Sequence, residues 1–492
     1  MRKGLLAEGI LFSASRYVLL GLSAVRNLVV AKVLGPEEYG YWIILSLVLM
    51  YGDQLHLGLR HAGDKEIPFL RGRREDTRAL QVADTIYGGV IALASIGVFV
   101  AGAVSLSGLI QAPQLSIGLA VVSLILFSDQ VNRFFLMVLR TDKEFILSSQ
   151  VESFFELIRT LAVCGLVVAF ELWGALGAFL LASVATSAFF VCRYWGRFRP
   201  MIDSTLAKQL AVVGFPLFLG GLLYILMISL DRVAASWMLS KKDLGLYGLA
   251  ALLIQLPISG SQAITAVLYP RFSEAFGETG EAESLYPLYA QAISVTSYLA
   301  PLLVVGIYFT SEFLIAALLP EFTGATTIIG LLSNGMYFLV AVPLPLYALM
   351  ALGRRREYVT TQSASVLVAA ALYVVAAATG RGPSAIAIAA SLSYGIFLIL
   401  LHVRTSLVFG LRRADTGRAL AKTLVPGLYS IVAVFAVSLA LPGSTGFSLA
   451  DQLGLMVAKC LAFLLLYSPF LVILNRREQL VTRLKRAFRH EQ

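Results

Sequence analysis

Six basic residues lie inside apolar stretches of this 492-residue chain. A charge in such a place costs about 2.5–3.5 kcal/mol on insertion scales, so it is expected to face a partner, a cavity or a ligand. Arg16, Ser23 and Asn27 share one face of a helix, and Arg26 lies about 80° from that face. Arginine donors on a polar face suit an anionic ligand such as phosphate. A polar seam that only holds helices together is the alternative.

Later stretches carry arginines beside carboxylates. Arg133 follows Asp129 by four residues and Arg159 follows Glu156 by three, so each pair can neutralise itself on its own helix. Arg232 directly follows an aspartate. The predicted substrate site comprises Arg16, Arg26, Asn27, Arg133, Arg159 and Arg232. The carboxylates predicted as candidates for ion coupling are Asp53, Asp84 and Glu156.

Motifs for catalysis are weak. The segment 417–423, GRALAKT, lacks the second glycine of a phosphate-binding loop, and no strand precedes it. Cys164, Cys192 and Cys460 are isolated, so no zinc site or disulfide framework is predicted. An enzyme that builds glycans outside the membrane would need a substantial external loop, and the gaps between stretches are short. We therefore expect a transporter without a cofactor.

These residues must be positioned by membrane-spanning helices. The chain is 58% hydrophobic and 14% charged, with a mean hydropathy of +0.81. A span needs roughly 20 apolar residues. Fourteen stretches are predicted to span the membrane, so the predicted class is an all-α polytopic membrane protein. They lie at 8–34, 40–60, 79–107, 114–139, 145–170, 173–195, 207–238, 243–270, 284–309, 325–352, 357–379, 383–407, 420–441 and 452–474.

The basic residues also predict an orientation. Of the 39 Lys and Arg residues, 29 fall in the two tails and in every second gap, whereas four fall in the other gaps. This asymmetry places both termini in the cytoplasm. The net charge of +10 then indicates a surface that faces anionic lipid, and no nucleic acid is expected as a partner.

A faint repeat relates the two halves. The segment LGPEEYGYW at 34–42 aligns with LSKKDLGLY at 239–247 at an offset of 205, which pairs Gly40 with Gly245. Six spans separate the copies, so the halves share one orientation, as in transporters that bind substrate between parallel repeats. The predicted parts are an N-lobe with helices 1–6 at 1–198, a C-lobe with helices 7–12 at 199–410, helices 13–14 at 411–475, and a basic amphipathic cytoplasmic tail at 476–492.

Two segments resemble a known family. Residues 29–67, VVAKVLGPEEYGYWIILSLVLMYGDQLHLGLRHAGDKEI, resemble the first two helices of bacterial polysaccharide-biosynthesis flippases, and residues 229–250 resemble their seventh and eighth. The family belongs to the MOP superfamily, with the MATE drug exporters and the lipid II flippase. The resemblance implies two six-helix bundles in a V shape, two extra C-terminal helices, and alternating access to a central cationic cavity. Arg16 matches the cavity arginine of helix 1.

The resemblance also implies a function. The chain is expected to flip undecaprenyl-pyrophosphate-linked oligosaccharides from the inner to the outer leaflet of the bacterial cytoplasmic membrane. Its expected partners are that lipid-linked oligosaccharide, membrane lipid, and the polymerase and chain-length regulator of an O-antigen, capsule or exopolysaccharide pathway. The membrane potential, H⁺ and Na⁺ are the energy sources left open. The alternatives are an ion-coupled exporter of small molecules and a membrane-embedded glycan enzyme.

Overall fold

A computed structural model describes the backbone of residues 2–443 and 448–478. Side chains are described from residue 18 to residue 476, except for 444–447 and eight positions between 259 and 270. The Arg16 side chain and most of the predicted tail therefore lie outside the described residues. The predicted all-α polytopic class is confirmed. The helices described are α1 (Arg2–Gly52), α2 (Leu59–Gly72), α3 (Asp76–Leu106), α4 (Pro113–Thr141), α5 (Phe145–Arg193), α6 (Ser204–Met238), α7 (Lys241–Thr279), α8 (Tyr286–Leu318), α9 (Ala325–Ala341), α10 (Pro343–Ala351), α11 (Arg355–Thr379), α12 (Gly382–Val408), α13 (Arg413–Ala440) and α14 (Leu449–Glu478).

Two of these helices each hold a pair of predicted spans. A kink at Gly35 (φ 66°) divides α1, and Pro36 follows where proline suits the first turn of a new helix. A second kink, at Glu171 (φ 50°), divides α5 between the fifth and sixth predicted spans. Within the described residues, eleven helical segments are long and apolar enough to cross a membrane, with α1 and α5 each counted once.

The second predicted span, 40–60, is wrong at its end. Helix α1 stops at Gly52, a 3-10 turn covers Asp53–His56, and α2 begins at Leu59. The break occurs where Leu57 (φ 47°) and Gly58 (φ 95°) both adopt left-handed conformations. A Cβ at Gly58 would overlap the backbone of Gly214, so glycine also permits close packing there.

The chain folds as two compact units. The first comprises Met1–Ile225 and Ser240–Gly245, and the second comprises Leu226–Leu239 and Leu246–Gln492. The predicted lobe boundaries stay predictions.

The first unit is built around α4 and α5. Helix α5 packs against α1 and α4, and α3 packs against α4. One end of this unit is held by buried aromatic rings, in which Phe135 stacks on Phe190 at 5.4 Å and on Tyr194 at 5.5 Å. These rings close the end of the bundle at which α4 stops and α5 begins.

The second unit is built around α8 and α12. Helix α12 packs against α9 and α11, while α8 packs against α9, α13 and α14. Phe463 and Tyr467 of α14 stack at 5.4 Å within a cluster that also contains Phe309 of α8. The two C-terminal helices therefore pack on the second unit through α8.

The two repeated turns contact each other inside the first unit, to which Ser240–Gly245 belongs. A Cβ at Gly40 would overlap the Lys241 carbonyl oxygen, and a Cβ at Gly245 would overlap the Pro36 carbonyl oxygen. The two contacts are equivalent under the offset of 205. The glycines of the repeat are thus explained by a close, reciprocal approach of two backbones.

Replacing Gly245 with alanine is expected to destabilise the protein by about 1–3 kcal/mol, because the neighbouring backbone must move. The matched control is Gly221→Ala in α6, where nothing lies within 4 Å of the added Cβ. Thermal unfolding in detergent measures both. Equal melting temperatures for the two variants would contradict this packing role.

Candidate functional site

Four charged side chains meet in what we call the α1–α5 cluster: Arg26, Asp129, Glu156 and Arg159. Arg26 donates from Nη1 to Glu156 Oε1, and Arg159 Nη1 lies 3.5 Å from Glu156 Oε2. Arg159 Nη2 also lies 3.6 Å from Asp129 Oδ1. The glutamate thus lies between two arginines from α1 and α5, and α4 supplies the second carboxylate.

An aromatic ring packs against both arginines of this cluster. The Arg26 guanidinium carbon lies 4.9 Å from the Phe179 ring centroid, and that of Arg159 lies 5.4 Å from it. Only 8% of the Arg26 side chain is exposed, compared with 20% for Arg159. Phe179 stabilises the cations and limits the water that reaches them.

Serine and asparagine side chains extend the cluster along α4 and α5. Ser183 donates to Asp129 Oδ1 at 2.8 Å, and Asn132 donates to the Ser183 carbonyl oxygen at 3.1 Å. Asn27 donates to the Ser23 carbonyl oxygen at 2.8 Å, and Arg26 donates to the hydroxyl of the same serine at 3.1 Å. The predicted site residues Arg26, Arg159 and Glu156 are therefore brought together, and Asn27 lies beside them on α1 through Ser23.

A second group, which we call the Arg133 triad, comprises Asp53, Arg60 and Arg133. Asp53 Oδ1 lies 2.7 Å from Arg133 Nε and 3.1 Å from Arg60 Nη2. Arg60 also donates to the Asp53 carbonyl oxygen at 2.8 Å. The break after α1 makes this possible, because it lets the start of α2 fold back toward the end of α1.

Arg133 is the most open of the predicted arginines that the structure describes. Half of its side chain is exposed, and the ion pair with Asp53 uses Nε. Nine residues separate Arg133 from the exposed Leu124, which at about 100° per residue puts the two on opposite sides of α4. Arg133 therefore points away from the apolar side of α4 at Leu124.

The two groups are neighbours along α4. Asp129 belongs to the α1–α5 cluster and Arg133 to the triad, and four residues of helix separate them by about 6 Å. The interpretation of Asp129 and Arg133 as a self-neutralising pair is wrong, since each side chain is held by a residue from another helix.

The remaining predicted residues lie elsewhere. Asp84 accepts from the Arg199 backbone N–H at 2.9 Å and so holds the segment after α5. Arg232 belongs to the second unit, where its Nε lies 3.8 Å from the buried Asp231 and its Nη2 donates to the Ile228 carbonyl oxygen at 3.0 Å. Tyr247 donates to Asp231 Oδ2 at 3.0 Å.

Charge is distributed unevenly among these groups. In the α1–α5 cluster two arginines face two carboxylates, and Arg232 faces Asp231. The Arg133 triad contains two arginines and one carboxylate. Among these three groups of described side chains, the triad is therefore the one with a net positive charge.

Two functional candidates were missed from the sequence. Arg60 is the last residue of the second predicted span and was not selected as a site residue, yet only 8% of it is exposed and it pairs with Asp53. Lys459 has no partner nearby in the chain, yet its ammonium lies 2.8 and 2.9 Å from the two carboxylate oxygens of Glu312 on α8. For Arg60 the signal in the sequence was Gly58, because this glycine marks the break that lets Arg60 contact Asp53.

Lys459→Met is expected to destabilise the second unit by about 3–5 kcal/mol, because Glu312 keeps a charge with only 18% of its side chain exposed. The double variant Lys459→Met/Glu312→Met should recover most of that loss. Melting temperatures in detergent check this, with Arg78→Met as the control that breaks an exposed pair worth about 0–1 kcal/mol. A double variant less stable than either single one would contradict the pairing.

Comparison with known proteins now identifies the family. The family model described as "Polysaccharide biosynthesis protein" matches residues 29–322, more than half of the chain. The chain belongs to this family. No individual curated protein sequence matches this chain.

Solved structures show the same fold at low identity. The lipid II flippase MurJ in an inward closed conformation is 15% identical, with a TM-score of 0.71 over 95% of this chain and 99% of the other. An inward-facing multidrug resistance MATE family transporter of the MOP superfamily is 15% identical, with a TM-score of 0.63 over 81% and 95%. A MOP superfamily transporter from Pyrococcus furiosus Vc1 is 16% identical, with a TM-score of 0.53 over 82% and 95%. The polysaccharide biosynthesis protein thus shares the fold of these transporters.

Proposed function

We propose that this protein flips undecaprenyl-pyrophosphate-linked oligosaccharide repeat units from the inner to the outer leaflet of the bacterial cytoplasmic membrane, by alternating access. Membership of a polysaccharide biosynthesis family supports the substrate class, and the fold shared with a lipid II flippase supports the reaction. Within the molecule, the observation that carries the proposal is the open, net-positive Arg133 triad among membrane-spanning helices.

The geometry of the triad suits a pyrophosphate. Asp53 orients Arg133 through Nε, so the two terminal nitrogens can donate to two phosphate oxygens. A guanidinium is always charged and matches phosphate geometry better than an ammonium does. Arg60 keeps Asp53 in place, which leaves Arg133 with fewer orientations to lose on binding.

The α1–α5 cluster suits a different task. Its charges balance, and Phe179 covers both arginines. We propose that the cluster binds the sugar hydroxyls through its polar groups and keeps α1, α4 and α5 in register. Arg16 is proposed as a further phosphate contact on α1.

The direction of transport is consistent with the membrane potential. An anion that moves out of a negative interior gains about 2.3 kcal/mol per charge per 100 mV. Outward flipping of a pyrophosphate can therefore proceed without ATP hydrolysis. We propose that the protein works in the inner membrane beside the polymerase and chain-length regulator of its pathway.

An ion-coupled exporter of small molecules is the second candidate. Carboxylates among membrane-spanning helices favour it, since Glu156 and Asp129, with 15% and 24% of their side chains exposed, could bind a coupling ion or a substrate cation. This candidate would need a net-negative site, whereas the triad is net positive.

The proposed function is tested in cells by deleting the gene. The expected result is accumulation of lipid-linked repeat units that an externally added, membrane-impermeant glycosidase cannot reach, with loss of surface polysaccharide. If the deletion leaves the polysaccharide intact and only raises sensitivity to small toxic cations, the exporter is the correct function.

A further inference from the structure

The second unit contains a cavity of about 830 Å³ at one end of α8, α12 and α13. Tyr286 and Tyr289 line it from the start of α8, His402 from the end of α12, and Arg418 and Lys422 from the first turns of α13. Its volume is in the range of small-molecule sites. Since α8 and α13 begin here and α12 ends here, the cavity lies near the ends of the three helices. The charge distribution predicts this end to be cytoplasmic.

His402 forms part of the inner wall of the cavity. Its side chain is 1% exposed, and Nδ1 lies 2.9 Å from the Tyr289 hydroxyl. Among the described residues, Nε2 is buried without a hydrogen-bond partner. A buried polar atom of this kind costs about 1–3 kcal/mol unless a partner reaches it. Because Nε2 has almost no accessible surface, a ligand in the cavity would not reach it, and His402 is not counted among the phosphate contacts.

The charge of the cavity suits a phosphodiester. Arg418 and Lys422 lie one helical turn apart on the side of α13 that lines it. Asp415 also lines it and pairs with Arg418 at 3.4 Å, so the charged side chains sum to one positive charge. A phosphodiester carries one negative charge, whereas the pyrophosphate of the proposed substrate carries more.

The surface beside the cavity is apolar. Exposed residues on α13 follow Lys422 at helical spacing, namely Val425, Leu428, Val432, Phe435 and Leu439. This stripe begins within one helical turn of the Lys422 side chain. A ligand with a charged head at Lys422 could therefore lay an acyl chain along α13.

We infer that this cavity binds the headgroup of an anionic phospholipid of the inner leaflet, with the phosphate held by Arg418 and Lys422. The site is separate from the Arg133 triad and does not depend on the transported substrate. A bound lipid would tie α13 to α8 and α12 and so stabilise the second unit.

The test uses the full chain, delipidated in a non-ionic detergent, with phosphatidylglycerol, phosphatidylcholine or inorganic phosphate added. Native mass spectrometry counts bound lipid, and melting temperature reports stabilisation. Wild-type protein should bind phosphatidylglycerol in preference to phosphatidylcholine. Arg418→Gln/Lys422→Gln should weaken phosphatidylglycerol binding at least about a hundredfold, because each variant residue loses a charge-assisted hydrogen bond to the phosphate.

A matched control separates this site from general surface charge. Arg412→Gln/Arg413→Gln removes two exposed cations at the start of the same helix, outside the cavity lining, and should bind like wild type. Lys422→Gln alone, expected to weaken binding at least about tenfold, serves if the double variant does not fold. Equal losses in the cavity and control variants would overturn the inference. Displacement of the lipid by millimolar phosphate would assign the cavity to free phosphate and overturn it as well.

Discussion

Arg133→Gln is expected to reduce the export of lipid-linked oligosaccharide at least about a hundredfold. Each hydrogen bond to a charged group contributes about 1.5–3 kcal/mol, and the variant loses two such bonds to the pyrophosphate. Half of the Arg133 side chain is exposed, so the protein should still fold. Surface polysaccharide in the complemented deletion strain measures the effect. Export by Arg133→Lys should lie between that of wild type and that of Arg133→Gln, because lysine keeps the charge but lacks the planar guanidinium that donates two parallel hydrogen bonds.

The control for this prediction lies on the same helix. Arg140 also pairs with an aspartate, Asp64, at 3.2 Å, and Arg140→Gln removes the same charge about two turns further along α4. It should leave export close to wild type. A variant at Arg133 that exports normally would remove the triad from the proposed binding site.

Glu156→Gln is expected to destabilise the first unit by about 3–5 kcal/mol. The substitution leaves the buried Arg26 beside Arg159 without the carboxylate that joins them, while Arg159 keeps its ion pair with Asp129 at 3.6 Å. Yield of monodisperse protein and melting temperature in detergent measure the loss. The double variant Arg26→Gln/Glu156→Gln removes both charges of the buried pair and should recover much of it.

A control for this prediction lies in the same helix as well. Glu171 lies at the exposed kink of α5, so Glu171→Gln should change the melting temperature little. If Glu156→Gln is as stable as this control and instead shifts the pH dependence of export, Glu156 carries protons, as the exporter alternative requires.

Apolar runs and turn residues predicted most of the fold. Gly35 with Pro36 marked the first kink, and the basic gaps marked the ends of the helices. The failure at residues 53–60 has a local cause. Leu57 adopts a left-handed conformation that its residue type disfavours. The apolar pattern carries no signal for this conformation, so it predicted that the helix continues past Leu57.

The partners within the site were harder to predict. Spacing along one helix suggested that Asp129 pairs with Arg133, but the structure joins residues distant in the chain. Arg26 meets Glu156, 130 residues away, and Lys459 meets Glu312, 147 residues away. Such pairs depend on which helices become neighbours, and a single sequence carries little information about that. Charge inside an apolar helix requires a partner, which is why Arg26, Arg159 and Glu156 stood out in the sequence, and their roles in substrate binding and ion coupling stay predictions.

The central claim is best tested by flipping in proteoliposomes that contain the purified protein and a fluorescent undecaprenyl-pyrophosphate-linked oligosaccharide. A membrane-impermeant quencher reports how much of the labelled lipid reaches the outer leaflet. We predict that wild-type protein and Arg140→Gln let the quencher reach nearly all of the label. In protein-free vesicles and in vesicles that contain Arg133→Gln, the labelled lipid of the inner leaflet should stay protected from the quencher. Equal protection in wild-type and protein-free vesicles, with a membrane potential applied, would contradict the proposal that this protein is a flippase.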